Sequence, residues 1–267
     1  MIVHFLNLDI VLGILGGGVF ASYAVGTPLP STWWFVIPSA TWCLYTADRL
    51  LDARRSNSGY PTLRHQFHSR HKTTLLCGLV CIGGISAVVG MSTLPWQSMI
   101  VAALVVGLFG IHHIFQRVTG YQWLGVVKDF NVVLAYMVAV WAVPLIVSPT
   151  PSWETCAAIA AHASMVCATI VLESLPDKTV DEELDQPSIA RVLGEGGTRS
   201  YLIASIIALG FCTWLLRHTM LWPVSITWMA CVAGLPWVVR STISTPYKRM
   251  LIELTLALPL AIEFGYR

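Results

Sequence analysis

The chain has 267 residues, 55% of them hydrophobic and only 11% charged, with a formal net charge of +2 and a mean hydropathy of +0.68. Charged residues make up about 25% of an ordinary soluble domain, so this composition excludes a soluble fold and predicts one integral membrane domain over residues 1–267. The near-neutral balance excludes nucleic acid as a partner.

A membrane helix needs about 20 mostly apolar residues. Nine stretches qualify, roughly 5–27, 31–51, 74–94, 96–116, 123–147, 154–175, 200–217, 219–239 and 248–265. They are separated by turn-forming segments, among them TPLPST at 27–32, STLPW at 92–96, SPTPSW at 148–153 and STPYK at 244–248. The N-terminal MIVHFLNLDI lacks a basic leader and an obvious cleavage site, which argues against a removed signal peptide. The seven cysteines are scattered through apolar runs, which argues against a disulfide framework. Cys77 and Cys81 share a helix face and read as small core residues.

With nine spans, the loops alternate sides. The loops after the second, fourth, sixth and eighth spans, with their helix ends, hold Arg49, Arg54, Arg55, Arg64, Arg70, Lys72, Arg117, Lys178, Arg191, Arg199, Arg240, Lys248 and Arg249. The other side holds Arg217 and Arg267. By the positive-inside rule the charged loops face the cytoplasm.

The carboxylates are not scattered. Asp48 and Asp52, in YTADRLLDARR, lie four residues apart and share one helix face at the end of the second span. In LESLPDKTVDEELDQPSIARVLGEGG (172–197), Asp177, Asp181 and Asp185 repeat at the same interval, with Glu173 one step earlier. Stacked carboxylates repel unless a cation lies between them. Hard oxygen donors suit Mg²⁺, which keeps its waters and bridges to phosphates. Two such clusters on one side of the membrane can clamp a diphosphate through shared Mg²⁺. Asp185 also reads as a turn residue in DQPS.

These two stretches resemble the UbiA superfamily of intramembrane aromatic prenyltransferases. That family has nine membrane helices around a central cavity and two aspartate-rich motifs. Its first motif commonly reads NDxxDxxxD. Here LYTADRLLD keeps Asp48, Arg49 and Asp52, and has Leu44 and Tyr45 in place of the Asn and first Asp. Its second motif reads DxxxD, six residues, then a TLAVRLG-like segment. Asp177, Asp181 and SIARVLG (188–194) match in register. PTLRHQFHSRH stands where the family often carries an NRPL-like segment, which marks a divergent member.

The resemblance implies transfer of an isoprenyl group from an isoprenyl diphosphate to an aromatic or other lipophilic acceptor within the bilayer. Mg²⁺ would be held by Asp48, Asp52, Asp177 and Asp181, with Asp185 as a further candidate. Among cations, Lys128 within VVKDFN is the best diphosphate contact, unless it pairs with Asp129. Arg49 and Arg191 flank the aspartates and serve either phosphate or topology. Tyr45 is a diphosphate contact or an interface tyrosine. Asp9, within LNLDIVLG, would orient the acceptor or act as a base, and Asn131 and Tyr136 would line the same cavity or its core. The expected setting is a multi-pass protein of the bacterial inner membrane with its site facing the cytoplasm.

Other polar groups read more plainly. His65, His68 and His71 form HxxHxxH in a basic loop, a lid or headgroup surface before a zinc site. His162 reads as a core histidine, and Glu253 as a partner for Lys248 or Arg249. Trp33, Trp34, Trp96, Trp123, Trp153 and Trp222 read as interface belts. Three further functions compete with prenyl transfer: a terpene cyclase on the same scaffold, an ion-coupled transporter, and an inactive scaffold.

Overall fold

The computed structural model describes residues 2–55, 63–119, 124–148, 150–183 and 188–265; within these, side chains at 52, 54–55, 65, 112–119, 124–126, 128, 177, 179–181, 183 and 262–265 lie outside the description. The described residues are 88% helical, with no strand among them. Among the described residues twelve α-helices follow in order: α1 Ile2–Phe5, α2 Leu8–Val25, α3 Trp33–Arg55, α4 Leu63–Arg70, α5 Lys72–Thr93, α6 Trp96–Thr119, α7 Leu124–Val147, α8 Trp153–Glu183, α9 Ile189–Leu215, α10 Trp222–Arg240, α11 Thr245–Leu254 and α12 Leu258–Gly265. A 3-10 turn, Thr255–Ala257, joins the last two.

Each expected stretch is largely helical over its described residues, and six described segments are long and apolar enough to cross a membrane: Leu8–Val25, Lys72–Thr93, Asp129–Val147, Trp153–Pro176, Ile189–Leu215 and Trp222–Arg240. α3 ends in the charged ADRLLDARR, which lowers its mean hydropathy. α6 is apolar over the shorter stretch Trp96–Ile111. The final expected span is broken by the 3-10 turn. The expected seventh span, 200–217, begins eleven residues earlier, at Ile189.

The expected first span is also broken. Asn7 adopts φ 56, ψ 26, a left-handed conformation that asparagine tolerates better than most residues. The break is held from α3: Trp42 Nε1 donates to the Leu6 carbonyl at 2.8 Å, and Asn7 Nδ2 donates to Thr46 Oγ1 at 3.3 Å. These bonds satisfy polar groups that would be costly to leave unpaired in an apolar interior.

α2 lies at the centre, packed against α3, α7, α8, α11, α12 and the 3-10 turn. Its Gly16-Gly17-Gly18 run makes this possible. A Cβ on Gly16 would lie 2.6 Å from the Leu256 carbonyl oxygen, and one on Gly17 would lie 2.8 Å from His162 Cε1. One on Gly18 would enter the Trp33 ring. Small residues let helices approach closely where no hydrophobic force separates core from lipid.

Around α2 the core is aromatic. Phe20, Trp141, Tyr136 and Trp228 surround His162, which stacks on Trp228 at 5.2 Å and accepts a hydrogen bond from Trp141 Nε1 at 3.2 Å. His162 is thus a core histidine. Trp33 belongs to this core and is fully buried, a correction to the interface reading; Trp34, Trp96, Trp153 and Trp222 are exposed. Trp123 lies outside the described residues. α5 and α6 turn apolar faces outward, with Val80 75% exposed. Cys77 and Cys81 lie exposed on α5 rather than in the core. Such an outward face is what lipid contact requires and what water would penalise.

Candidate functional site

α3 carries the first acidic motif at its C-terminal end, and the helix continues through it to Arg55. Asp48 is half-buried, and Arg49 Nη1 lies 3.8 Å from its Oδ2. Asp48 stands with Tyr45 on the wall of a cleft of about 250 Å³ between α3, α6 and α7. Asn131 lines the same cleft from α7. The remaining lining is apolar, from Leu44 on α3, Val101, Leu104, Val105, Leu108 and Phe109 on α6, and Val132, Leu134, Ala135 and Val138 on α7. The cleft is therefore an apolar slot with a carboxylate at its polar part, and three expected site residues meet there.

α8 continues as a helix through LESLPDKTVDEE despite Pro176, which cannot donate a backbone hydrogen bond. Positions 177 and 181 of the second acidic motif therefore lie on a continuous helix rather than in a loop, and Asp185 lies outside the described residues. The side chains of Asp52, Lys128, Asp177 and Asp181, and the whole of Asp185, lie outside the described residues. Along the chain, Lys128 is three residues before Asn131 on α7, and Glu173 is four residues before Asp177 on α8.

The SIARVLG segment opens α9, where Arg191 is half-buried in the first turn. Asp129 of α7 accepts the Ile189 amide hydrogen at 2.9 Å, capping the first turn of α9. Asp129 thus engages α9. The final glycine of the segment has a physical reason. Gly194 adopts φ 64, ψ −175, a region open essentially to glycine alone, and α9 kinks there.

Asp9 does not join Asp48 on the cleft wall. It is fully buried, accepting from His4 Nδ1 at 2.6 Å and from the Ile10 amide at 3.1 Å. Glu253, on α11, completes a set with His4 and Asp9 in which one ligand atom from each lies within 4.8 Å of the others. A wider charged network surrounds it. Glu173 of α8 lies within electrostatic reach of Asp9, Arg49, Arg64 and Arg249. Arg249 lies within the same reach of Glu253, Arg49 and Arg64. Lys248 donates to the Val239 carbonyl at 2.7 Å, while Glu253 hydrogen-bonds Asp9 and lies within electrostatic reach of Glu173, Arg49 and Arg249.

The histidine loop is helix α4. His68 is buried and His71 exposed, so these two do not converge on one site. His65 lies outside the described side chains. α4 sits on α1 through Phe67, stacked on Phe5 at 5.5 Å. His68 Nδ1 bonds the Arg64 carbonyl at 2.9 Å. Burial pushes the His68 imidazole down to about 4, against the smaller opposing effect of that bond. His4 is also lowered, burial outweighing the Asp9 carboxylate that favours its charged form.

Sequence reasoning missed the convergence of His4, Asp9, Arg64, His68, Glu173, Arg249 and Glu253. The only local signal was the presence of acids within apolar runs, at Asp9 and Glu253. Of the motif aspartates only Asp48 has a described side chain; it offers an oxygen donor of the kind a hard divalent cation takes, with Arg49 beside it. No family model matches this chain, and no curated protein or solved structure matches it.

Proposed function

We propose that this protein is a nine-span membrane prenyltransferase of UbiA type, which moves an isoprenyl group from its diphosphate to an aromatic or other lipophilic acceptor. The observation that carries the reading is Asp48 at the polar part of an apolar cleft, with Tyr45 and Asn131 beside it. The electrostatic proximity of Arg49 on α3 and Glu173 on α8 supports the meeting of both acidic motifs at one end of the bundle. In this reading the charged end faces the cytoplasm of a bacterial inner membrane.

The isoprenyl tail would occupy the cleft with its diphosphate toward Asp48, and Asp52, Asp177, Asp181 and Asp185 are the further ligands that the resemblance implies. Those carboxylates would hold Mg²⁺, which when bound would neutralise negative charge on the departing diphosphate. Lys128, Arg49 and Arg191 contribute further positive charge. The allylic C–O bond breaks with its electron pair leaving on the diphosphate. The acceptor's nucleophilic carbon forms a bond to the prenyl C1 and then loses a proton. The apolar walls keep water from the prenyl cation.

The test is binding of farnesyl and geranylgeranyl diphosphate to purified protein, with and without Mg²⁺, beside Asp48→Ala and Asp181→Ala. Mg²⁺-dependent binding that both changes abolish is expected. Binding indifferent to both changes, or no binding, refutes the reading. Release of a cyclic hydrocarbon without any acceptor would instead identify a cyclase.

A further inference from the structure

We propose that His4, Asp9 and Glu253 form a divalent metal site, separate from the aspartate motifs, that ties the two ends of the chain together. The three side chains are 4%, 0% and 5% exposed, and one ligand atom from each lies within 4.8 Å of the others. The donor set is one imidazole and two carboxylates. Carboxylates this close and this buried require a shared cation or proton. An imidazole with carboxylates suits Mn²⁺, Fe²⁺ or Zn²⁺ better than Mg²⁺.

The Glu253 carboxyl hydrogen-bonds Asp9, and its Oε2 is buried with no hydrogen-bond partner. A buried acceptor left unsatisfied costs about 1–3 kcal/mol, more when it is charged. A metal ion would satisfy it. At the His4–Asp9 pair, metal binding would displace the shared proton and open the spacing slightly. Two cis ligands with bonds of about 2.1 Å lie about 3 Å apart, against 2.6 Å between His4 Nδ1 and Asp9 Oδ2.

The backbone is irregular on both sides of the cluster. Asn7 is left-handed just before Asp9, and the 3-10 turn begins two residues after Glu253. In membrane proteins, interrupted helices commonly flank ion sites. Arg64 and Arg249 lie within electrostatic reach of His4. Arg249 therefore competes with the ion for Glu253, and the test must separate the two.

Purified full-length protein in detergent is stripped with EDTA and reloaded with Mn²⁺ in the absence of diphosphate. Bound Mn²⁺ is counted, and electron spin-echo spectra are recorded for ¹⁴N coupling from an imidazole ligand. About one retained Mn²⁺ with ¹⁴N coupling is expected, together with a rise in wild-type melting temperature on loading. The coupling disappears in His4→Gln, and Glu253→Gln weakens Mn²⁺ at least about tenfold. Both signals persist in the Asp48→Asn, Asp181→Asn double variant, so failure here is distinguishable from failure of the prenyltransferase reading. The proposal is overturned if wild-type protein retains no Mn²⁺, if its Mn²⁺ shows no ¹⁴N coupling, or if the coupling survives His4→Gln. The wild-type result alone decides the matter should the variants fail to fold.

Discussion

Replacing Gly16 by alanine tests whether α2 is the hub of the bundle. The added Cβ would stand 2.6 Å from the Leu256 carbonyl oxygen and 2.8 Å from Ala257 Cα, against 3.4–4 Å for ordinary contact. Both atoms are backbone of the 3-10 turn, and that turn is held by Trp228 Nε1 donating to the Thr255 carbonyl at 2.9 Å. The turn cannot move aside as a side chain would. Overpacking of this kind costs about 1–3 kcal/mol, and a backbone clash belongs at the upper end. Alanine returns about 1 kcal/mol of helix propensity. The net loss is therefore about 2 kcal/mol, or roughly 4–8 °C in melting temperature for a chain of this size. Gly84→Ala, in the middle of α5, is the matched control: its Cβ meets nothing within 4 Å. It keeps the propensity gain and should leave melting unchanged or raise it by roughly 2–4 °C. Thermal unfolding of the purified variants in one detergent reads both. Equal stability of Gly16→Ala and wild type, or an equal fall in Gly84→Ala, would refute the packing described around α2.

Two further changes probe the site. Ala135→Trp fills the apolar cleft from α7 and should weaken geranylgeranyl diphosphate binding at least about tenfold, since the slot is small for a tail of that length; unchanged affinity in a folded variant would place the tail elsewhere. Acid should destabilise the protein through His68. Its folded imidazole titrates near 4 and its unfolded one near 6.5, so the unfolded state binds the extra proton and stability falls as pH drops from about 6.5 toward 4. His68→Asn should lessen the fall in melting temperature between pH 7 and pH 5, and an identical fall in the variant would show that another group carries it.

Much of the site's first half was legible because it is local. A pair of carboxylates four residues apart on a helix needs only helical periodicity, and α3 is helical through both Asp48 and Asp52. The backbone of Gly194, the glycine ending SIARVLG, has φ 64 with ψ −175, a conformation the sequence pattern did not state. The cleft was not legible, because Leu104, Val105 and Val138 look like any lipid-facing residues in sequence. The belt reading of Trp33 failed for the same reason: tryptophan near a helix start is equally compatible with a headgroup and with a glycine-lined core.

Composition and hydropathy by themselves determined an all-helical, membrane-compatible chain and where its helical stretches fall, since burial in lipid or protein selects for apolar side chains alike. Tertiary structure decided which faces turn inward. In an apolar solvent the period of hydrophobicity no longer separates core from surface. It decided that α2 is central, through glycines that admit Leu256, His162 and Trp33. It also brought His4 and Asp9, at one end of the chain, to Glu253 at the other. No local pattern encodes that meeting, because it depends on how α2 and α11 cross.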